Sequence, residues 1–252
     1  MARRSEIRLA LIGAVCVELL ASGAAHASLS RAAAGPKNIG EAGTLTVDTG
    51  GQLDSEPDGK AWTFETGIQY QVSGRLQLLA EAVLFERQEP DGLESVSGIG
   101  DMDLTMSWLA FPDRDPLPAV VLGAKVKLPT AGDEIGTGKA DYSALLVLAK
   151  ETGELELNLE TEYATFGSPS DEDLKEQFIY TFTAEYGLSD FLAAYVELFG
   201  NSAPTEEESR TDAALLGVEM DVFASDKVAP YVSFEMDTEE SAATLAGIEW
   251  KW

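Results

Sequence analysis

The chain has 252 residues, with 44 Asp+Glu against 17 Lys+Arg and a formal net charge of −27. A protein this acidic repels nucleic acid and anionic surfaces. Its one Cys (Cys16) and one His (His26) both fall near the N-terminus. If that segment is removed, thiolate nucleophiles, histidine bases, disulfides and the usual zinc sites are excluded from the rest. We therefore expect no enzyme, no metal and no cofactor.

The first 27 residues carry that removal signal. Arg3, Arg4 and Arg8 precede an apolar run from Leu9 to Leu20, and the small-residue sequence Ala25-His26-Ala27 follows. A charged start, a short apolar core and an A-x-A site read as a cleaved secretory signal over 1–27, with the mature chain starting at Ser28. Glu18 is atypical of such a core, and Gly13-Ala14-Val15 before Cys16 makes a poor lipidation box. The excised segment holds 3 basic and 2 acidic residues, which leaves 14 Lys+Arg against 42 Asp+Glu, a net charge of −28. No later stretch approaches the ~18 consecutive apolar residues of a membrane-spanning helix. Residues 28–43 are small, Gly/Ala-rich and aperiodic, and read as a periplasmic tail or a short plug.

From Thr44 onward, period-2 alternation predicts twelve strands, at 44–52, 62–72, 76–87, 101–110, 118–128, 141–150, 155–165, 177–186, 191–200, 211–223, 228–237 and 242–252. Trp62, Phe64, Ile68, Tyr70 and Val72 share one face, while Thr63, Glu65, Gln69 and Gln71 share the other. Leu155, Leu157, Leu159 and Tyr163 likewise oppose Glu156, Asn158, Glu160 and Glu162. Strands 76–87 and 141–150 are apolar on both faces and say less.

Alternation alone fits both a soluble β-sandwich and a lipid-facing barrel. The connections favour the barrel. Tight turns at 73–75, 151–154, 187–190 and 224–227 alternate with longer polar loops at 53–61, 88–100, 129–140, 166–176 and 201–210. Short turns on one side and long loops on the other describe an up-and-down outer-membrane barrel. Trp62, Trp108, Tyr163, Tyr186, Phe191 and Trp250 near strand ends fit the aromatic girdles of such a barrel. The predicted fold is thus all-β, a transmembrane antiparallel barrel of about twelve strands over 44–252. It would sit in the lipid of a bacterial outer membrane, with both termini periplasmic.

Several local sequences carry a family resemblance. They are Gly98-Ile99-Gly100-Asp101 with Leu104, Val126-Lys127-Leu128-Pro129-Thr130, Gly136-Thr137-Gly138 with Asp141-Tyr142, Tyr186-Gly187-Leu188-Ser189-Asp190 and Glu197-Leu198-Phe199-Gly200. In order and spacing, over roughly 62–252, they resemble the transporter-like outer-membrane family labelled "putative MetA-pathway of phenol degradation". The resemblance implies a barrel that takes up small, including aromatic, molecules. Trp252 is similar to the aromatic C-terminus that such barrels present to their assembly machinery. The chain departs from the family at Ser107-Trp108-Leu109, where basic residues usually flank the aromatic, and at Pro129-Thr130-Ala131-Gly132-Asp133, where Pro-Thr-Gly-Asp is interrupted.

Polar-face parity selects the candidate lumen residues. If Ala110 pairs with Pro118, Asp101 faces Lys127 and Asp103 faces Lys125. That ladder is either a filter at a constriction or an ion-pair ladder that satisfies charges along the wall. Glu156, Glu160, Glu162, Glu185, Glu197, Glu219, Glu235 and Glu249 share the inward parity. Carboxylates in a confined lumen attract cations. Asp101-Met102-Asp103 offers oxygen ligands to calcium, but no loop has calcium-loop spacing. The expected function is a passive channel or transporter for small cationic or neutral solutes. The alternatives are a non-conducting structural or surface-binding barrel and a soluble periplasmic β protein. The acidity serves either selectivity or adaptation to salt.

Overall fold

The computed structural model describes residues 39–56, 59–132, 135–167, 176–189, 192–202, 211–221, 228–237 and 242–252. The signal segment and residues 28–38 lie outside it, as do Phe191 and most of the predicted loops at 166–176 and 201–210.

The strands are β1 (Leu45–Glu56), β2 (Gly59–Ser73), β3 (Leu76–Pro90), β4 (Val96–Gly98), β5 (Met102–Phe111), β6 (Ala119–Leu128), β7 (Asp141–Thr152), β8 (Leu155–Thr165), β9 (Gln177–Ser189), β10 (Leu192–Asn201), β11 (Thr211–Asp221), β12 (Val228–Asp237) and β13 (Ala242–Lys251). Every strand but β4 pairs antiparallel with its neighbour in the ring, and β1 pairs with β13, so twelve strands close into a barrel. The short β4 folds back onto the outer half of β3, from Glu86↔Gly98 to Gln88↔Val96.

The distribution of side chains is inverted relative to a soluble protein. Large apolar groups such as Trp62, Ile68, Met106, Leu122, Val196 and Phe234 point outward and are exposed. Gln71, Gln77, Ser107, Glu156, Glu162, Glu197 and Ser233 are buried inside. A sandwich buries its apolar faces between two sheets. A chain that hides glutamines and glutamates while exposing a continuous apolar belt is built to face hydrocarbon. Trp62, Trp108, Tyr163 and Tyr186 lie on that outer surface.

The structure corrects four expectations. Most of the predicted loop at 53–61 is strand, because β1 and β2 pair out to Glu56↔Gly59. Within 88–100, β3 runs to Pro90 and β4 adds a short hairpin, so much of that loop is sheet. Residues 187–189 of the predicted turn at 187–190 belong to strand β9. The β5–β6 register is also displaced by two residues. Leu109 faces Val121, and Asp103 and Thr105 face Lys127 and Lys125. Pro118 has no N–H to give the ladder, so β6 begins at Ala119, and a bulge between Leu109 and Phe111 takes up the slack.

Two tyrosines lie flat along the inner wall over glycines. A Cβ at Gly217 would stand 2.0 Å from the Tyr195 ring, and one at Gly247 would stand 2.5 Å from the Tyr231 hydroxyl. Glycine at these two sites is what allows the rings to hug the strand instead of crossing the lumen.

Candidate functional site

Asp54, Asp141, Glu156, Glu162 and Glu197, on β1, β7, β8 and β10, are buried on the face opposite the apolar belt. Among the described residues the only wall cations are Lys125 and Lys127, two positions apart on β6.

Lys127 lies near the loop end of the barrel. Its Nζ contacts Asp141 Oδ2 at 2.5 Å and Asp101 Oδ2 at 3.4 Å. Each aspartate then accepts a hydrogen bond from loop backbone: Asp101 Oδ1 from the Ala131 amide at 2.8 Å, and Asp141 Oδ1 from the Gly167 amide at 2.9 Å. Gly132 donates to the Ile99 carbonyl, and Ile135 is buried where a Cβ on Gly98 would come within 2.9 Å. Lys127 therefore ties loop 129–140 and the start of the next loop to the rim. Despite the corrected register, Asp101 and Lys127 do meet, as a diagonal pair.

Lys125 sits one step deeper. Its stem crosses β7 at the small Ser143, which it faces in register, and its Nζ reaches Glu162 Oε2 on β8 at 2.9 Å. Asp103 and Glu160 lie within electrostatic reach of this ammonium, and so does Glu81. One cation thus serves carboxylates drawn from β3, β5 and β8. Glu160 in turn lies within reach of Glu197, whose Oε2 accepts from the Thr183 hydroxyl at 3.1 Å.

The other predicted residues spread around the wall. Glu156 and Glu185 face each other across β8 and β9 toward the tight-turn end, and Glu156 accepts from the Asn158 amide at 2.9 Å. Glu219 pairs in register with Ser233 and lies within reach of Tyr231. Glu249 is in register with Asp48, whose Oδ1 accepts from the Tyr231 hydroxyl at 3.0 Å. The backbone of Glu235 is in register with Gly217, and its side chain lies outside the described atoms.

The list drawn from sequence omits acids that the barrel adds to the same surface. Glu65 lies within reach of Glu81, Glu86, Asp54 and Asp103. Parity along β1 marks Asp48 and Asp54 as inward together with Thr46 and Gln52. Parity along β3 cannot mark both Glu81 and Glu86, because the β2–β3 register slips between Phe64 and Glu65 and changes the count by one. Apolar groups also line parts of the wall. Tyr195 and Phe199 form a buried aromatic pair on β10. At the tight-turn end Ile39 packs with Leu109, Ala119, Val121 and Val147.

Outside the strands, Asp113 caps the tight-turn end. Its Oδ1 accepts from Lys150 Nζ at 2.6 Å and its Oδ2 from the Glu151 amide at 3.1 Å. Those hydrogen bonds hold its carboxyl below the usual range.

A family model described as "Putative MetA-pathway of phenol degradation" matches residues 82–247. No curated protein matches the sequence. Among solved structures, an outer membrane channel from Pseudomonas putida F1 superposes with a TM-score of 0.67 at 13% identity, covering 84% of this chain and 96% of that one. The KdgM porin gives 0.55 at 11% identity, with 81% and 98% covered. The NanC porin gives 0.55 at 10%, with the same coverage. At these identities the likeness speaks for the fold, that of a bacterial outer-membrane β-barrel.

Proposed function

The chain belongs to the MetA-pathway phenol-degradation family, and on that premise we propose that it is a narrow passive channel for small cationic or neutral solutes. The observation that carries this reading is the burial of Asp54, Asp141, Glu156, Glu162 and Glu197 on the face opposite the apolar belt, where the described wall cations are Lys125 and Lys127. In a confined lumen, fixed charge of one sign raises the local concentration of the opposite ion. Twelve strands lie between barrels filled by their own side chains and the wide 16–18-stranded porins, which favours a narrow bore.

The residues assigned to the constriction are Asp101, Asp103, Lys125, Lys127, Glu156, Glu160, Glu162, Glu185, Glu197, Glu219, Glu235 and Glu249. Asp48, Glu65 and Glu81 join them. KdgM has been solved with oligogalacturonate, a polyanion, and the acidic wall here argues against a substrate of that charge. The segment 28–43 is read as a periplasmic tail or short plug anchored at Ile39, and Trp252 as the mark read by the assembly machinery.

The test is the reversal potential of the refolded mature protein in a planar bilayer under a KCl gradient. Stepwise conductance with a cation-selective potential is the expected result. Silence from protein with the heat-modifiable gel mobility of a folded barrel would refute the channel and favour a structural barrel.

A further inference from the structure

The two lysines of β6 differ in how they are held. Lys127 is shared by two carboxylates that also grip loop backbone, so it is built into the rim. Lys125 Nζ bonds Glu162 Oε2 at 2.9 Å, and Asp103, Glu160 and Glu81 lie within electrostatic reach of it, with Asp103 also in register with Lys127. Its ammonium meets these acids as a solute ammonium would, except that it is tethered by its stem. The hydrogen-bonding chemistry is that of a primary ammonium, with N–H donors aimed at carboxylate oxygens.

We propose that Lys125 is a tethered cation occupying the lumen's own ammonium site, and that it limits the channel's cation selectivity by competing with solute cations for Glu162 and its neighbours. This rests on the channel reading above and adds the identity of the specificity-determining residue and its ligand class, primary alkylammonium ions. Because the tether cannot leave, it subtracts one binding position from the path and adds one positive charge to the wall. Cutting it back at Cβ frees both.

The experiment compares the wild type with Lys125→Ala in planar bilayers, using n-propylammonium as the probe, since that is the fragment the substitution removes. The cation-over-anion permeability ratio of the variant should rise at least about threefold, the effect of one unit charge acting over ~6 Å at a dielectric close to that of water. Millimolar n-propylammonium should then return the variant toward wild-type selectivity, saturably, and leave the wild type unchanged. Tetramethylammonium, which has no N–H to donate, should not do so.

A conducting wild type whose reversal potential is unchanged in the variant overturns the tethered-cation proposal and leaves the channel reading standing. So does an equal response to both ammonium ions. If both proteins are folded and silent, the channel reading falls and this one with it. Lys125→Met keeps the bulk of the stem without its charge, and gives the same selectivity reading should the alanine variant not fold.

Discussion

Replacing Lys127 by Met tests whether the rim lysine is structural. The substitution keeps an unbranched stem and removes the charge that Asp101 and Asp141 share at 3.4 and 2.5 Å. Fully exposed ion pairs contribute only about 0–1 kcal/mol, whereas stripping one partner from a buried pair costs about 3–5 kcal/mol. The three side chains here are 17, 14 and 10% exposed, close to the buried limit but at the wet end of a barrel. Removing the ammonium also leaves two carboxylates facing each other across the gap it bridged, a repulsion of about 1–3 kcal/mol over ~6 Å at effective dielectrics between water and protein surface. The expected loss is therefore about 2–4 kcal/mol. The assay is equilibrium unfolding in denaturant with lipid vesicles, followed by tryptophan fluorescence. Arg87 and Glu89 supply the internal control, a contact just as short at 2.7 Å but with side chains 47 and 39% exposed; Arg87→Met should cost less than about 1 kcal/mol. Adding Asp101→Asn and Asp141→Asn to Lys127→Met should recover most of the loss, because the stranded charges go with the lysine. A Lys127→Met cost no larger than that of Arg87→Met, or a triple variant weaker than the single, would refute the account of the rim.

Three further outcomes follow from the same geometry. Leu122→Arg places a charge mid-strand on the outer face and should destabilise the vesicle-embedded barrel by about 2–4 kcal/mol; in a water-soluble sheet an already exposed leucine would tolerate the change, and that result would sink the inverted arrangement. Gly217→Ala drives a Cβ into the Tyr195 ring and should cost about 1–3 kcal/mol by overpacking, with single-channel conductance reduced as the ring lifts into the bore; Gly217→Ala with Tyr195→Ala should restore conductance. Asp113 has a depressed folded-state pKa, so its stabilisation is complete above the unfolded value of ~3.9 and is lost as pH falls through the folded value. Asp113→Asn should flatten that acid-side loss in a thermal-unfolding series from pH 6 to pH 2, and an unchanged slope would exclude the Lys150 contact as its cause.

The sequence exposed the barrel because strands such as β8, with Glu156, Asn158, Glu160 and Glu162 against Leu157, Leu159 and Tyr163, spell out two faces residue by residue. Parity then sorted inward from outward acids without any knowledge of pairing. Contacts needed more. Lys125 was expected opposite Asp103, but the bulge beyond Leu109 and the missing donor of Pro118 reset the register, and its bonded partner proved to be Glu162, two strands away across β7. No pairwise rule along a hairpin reaches that far, since it depends on barrel curvature and on a lysine stem long enough to pass Ser143. Glu86 was hidden for a related reason, because a single slipped residue on β3 inverts the parity of everything beyond it.

The pairing of β1 with β13 has a consequence for assembly. Most ring pairings join strands that follow each other in the chain, whereas this one runs from Thr46↔Lys251 to Ser55↔Ala242. Bringing such distant segments together costs about 2–3 kcal/mol more loop-closure entropy than forming a hairpin of a dozen residues. Until it forms, two rows of backbone N–H and C=O groups stand open, and in hydrocarbon each unsatisfied group costs several kcal/mol. The seam should therefore zip as one cooperative event, with no half-open barrel stable in the bilayer. The Tyr231 phenol reaches over Gly247 of β13 to Asp48 of β1, stapling the two ends of the chain from inside once they have met.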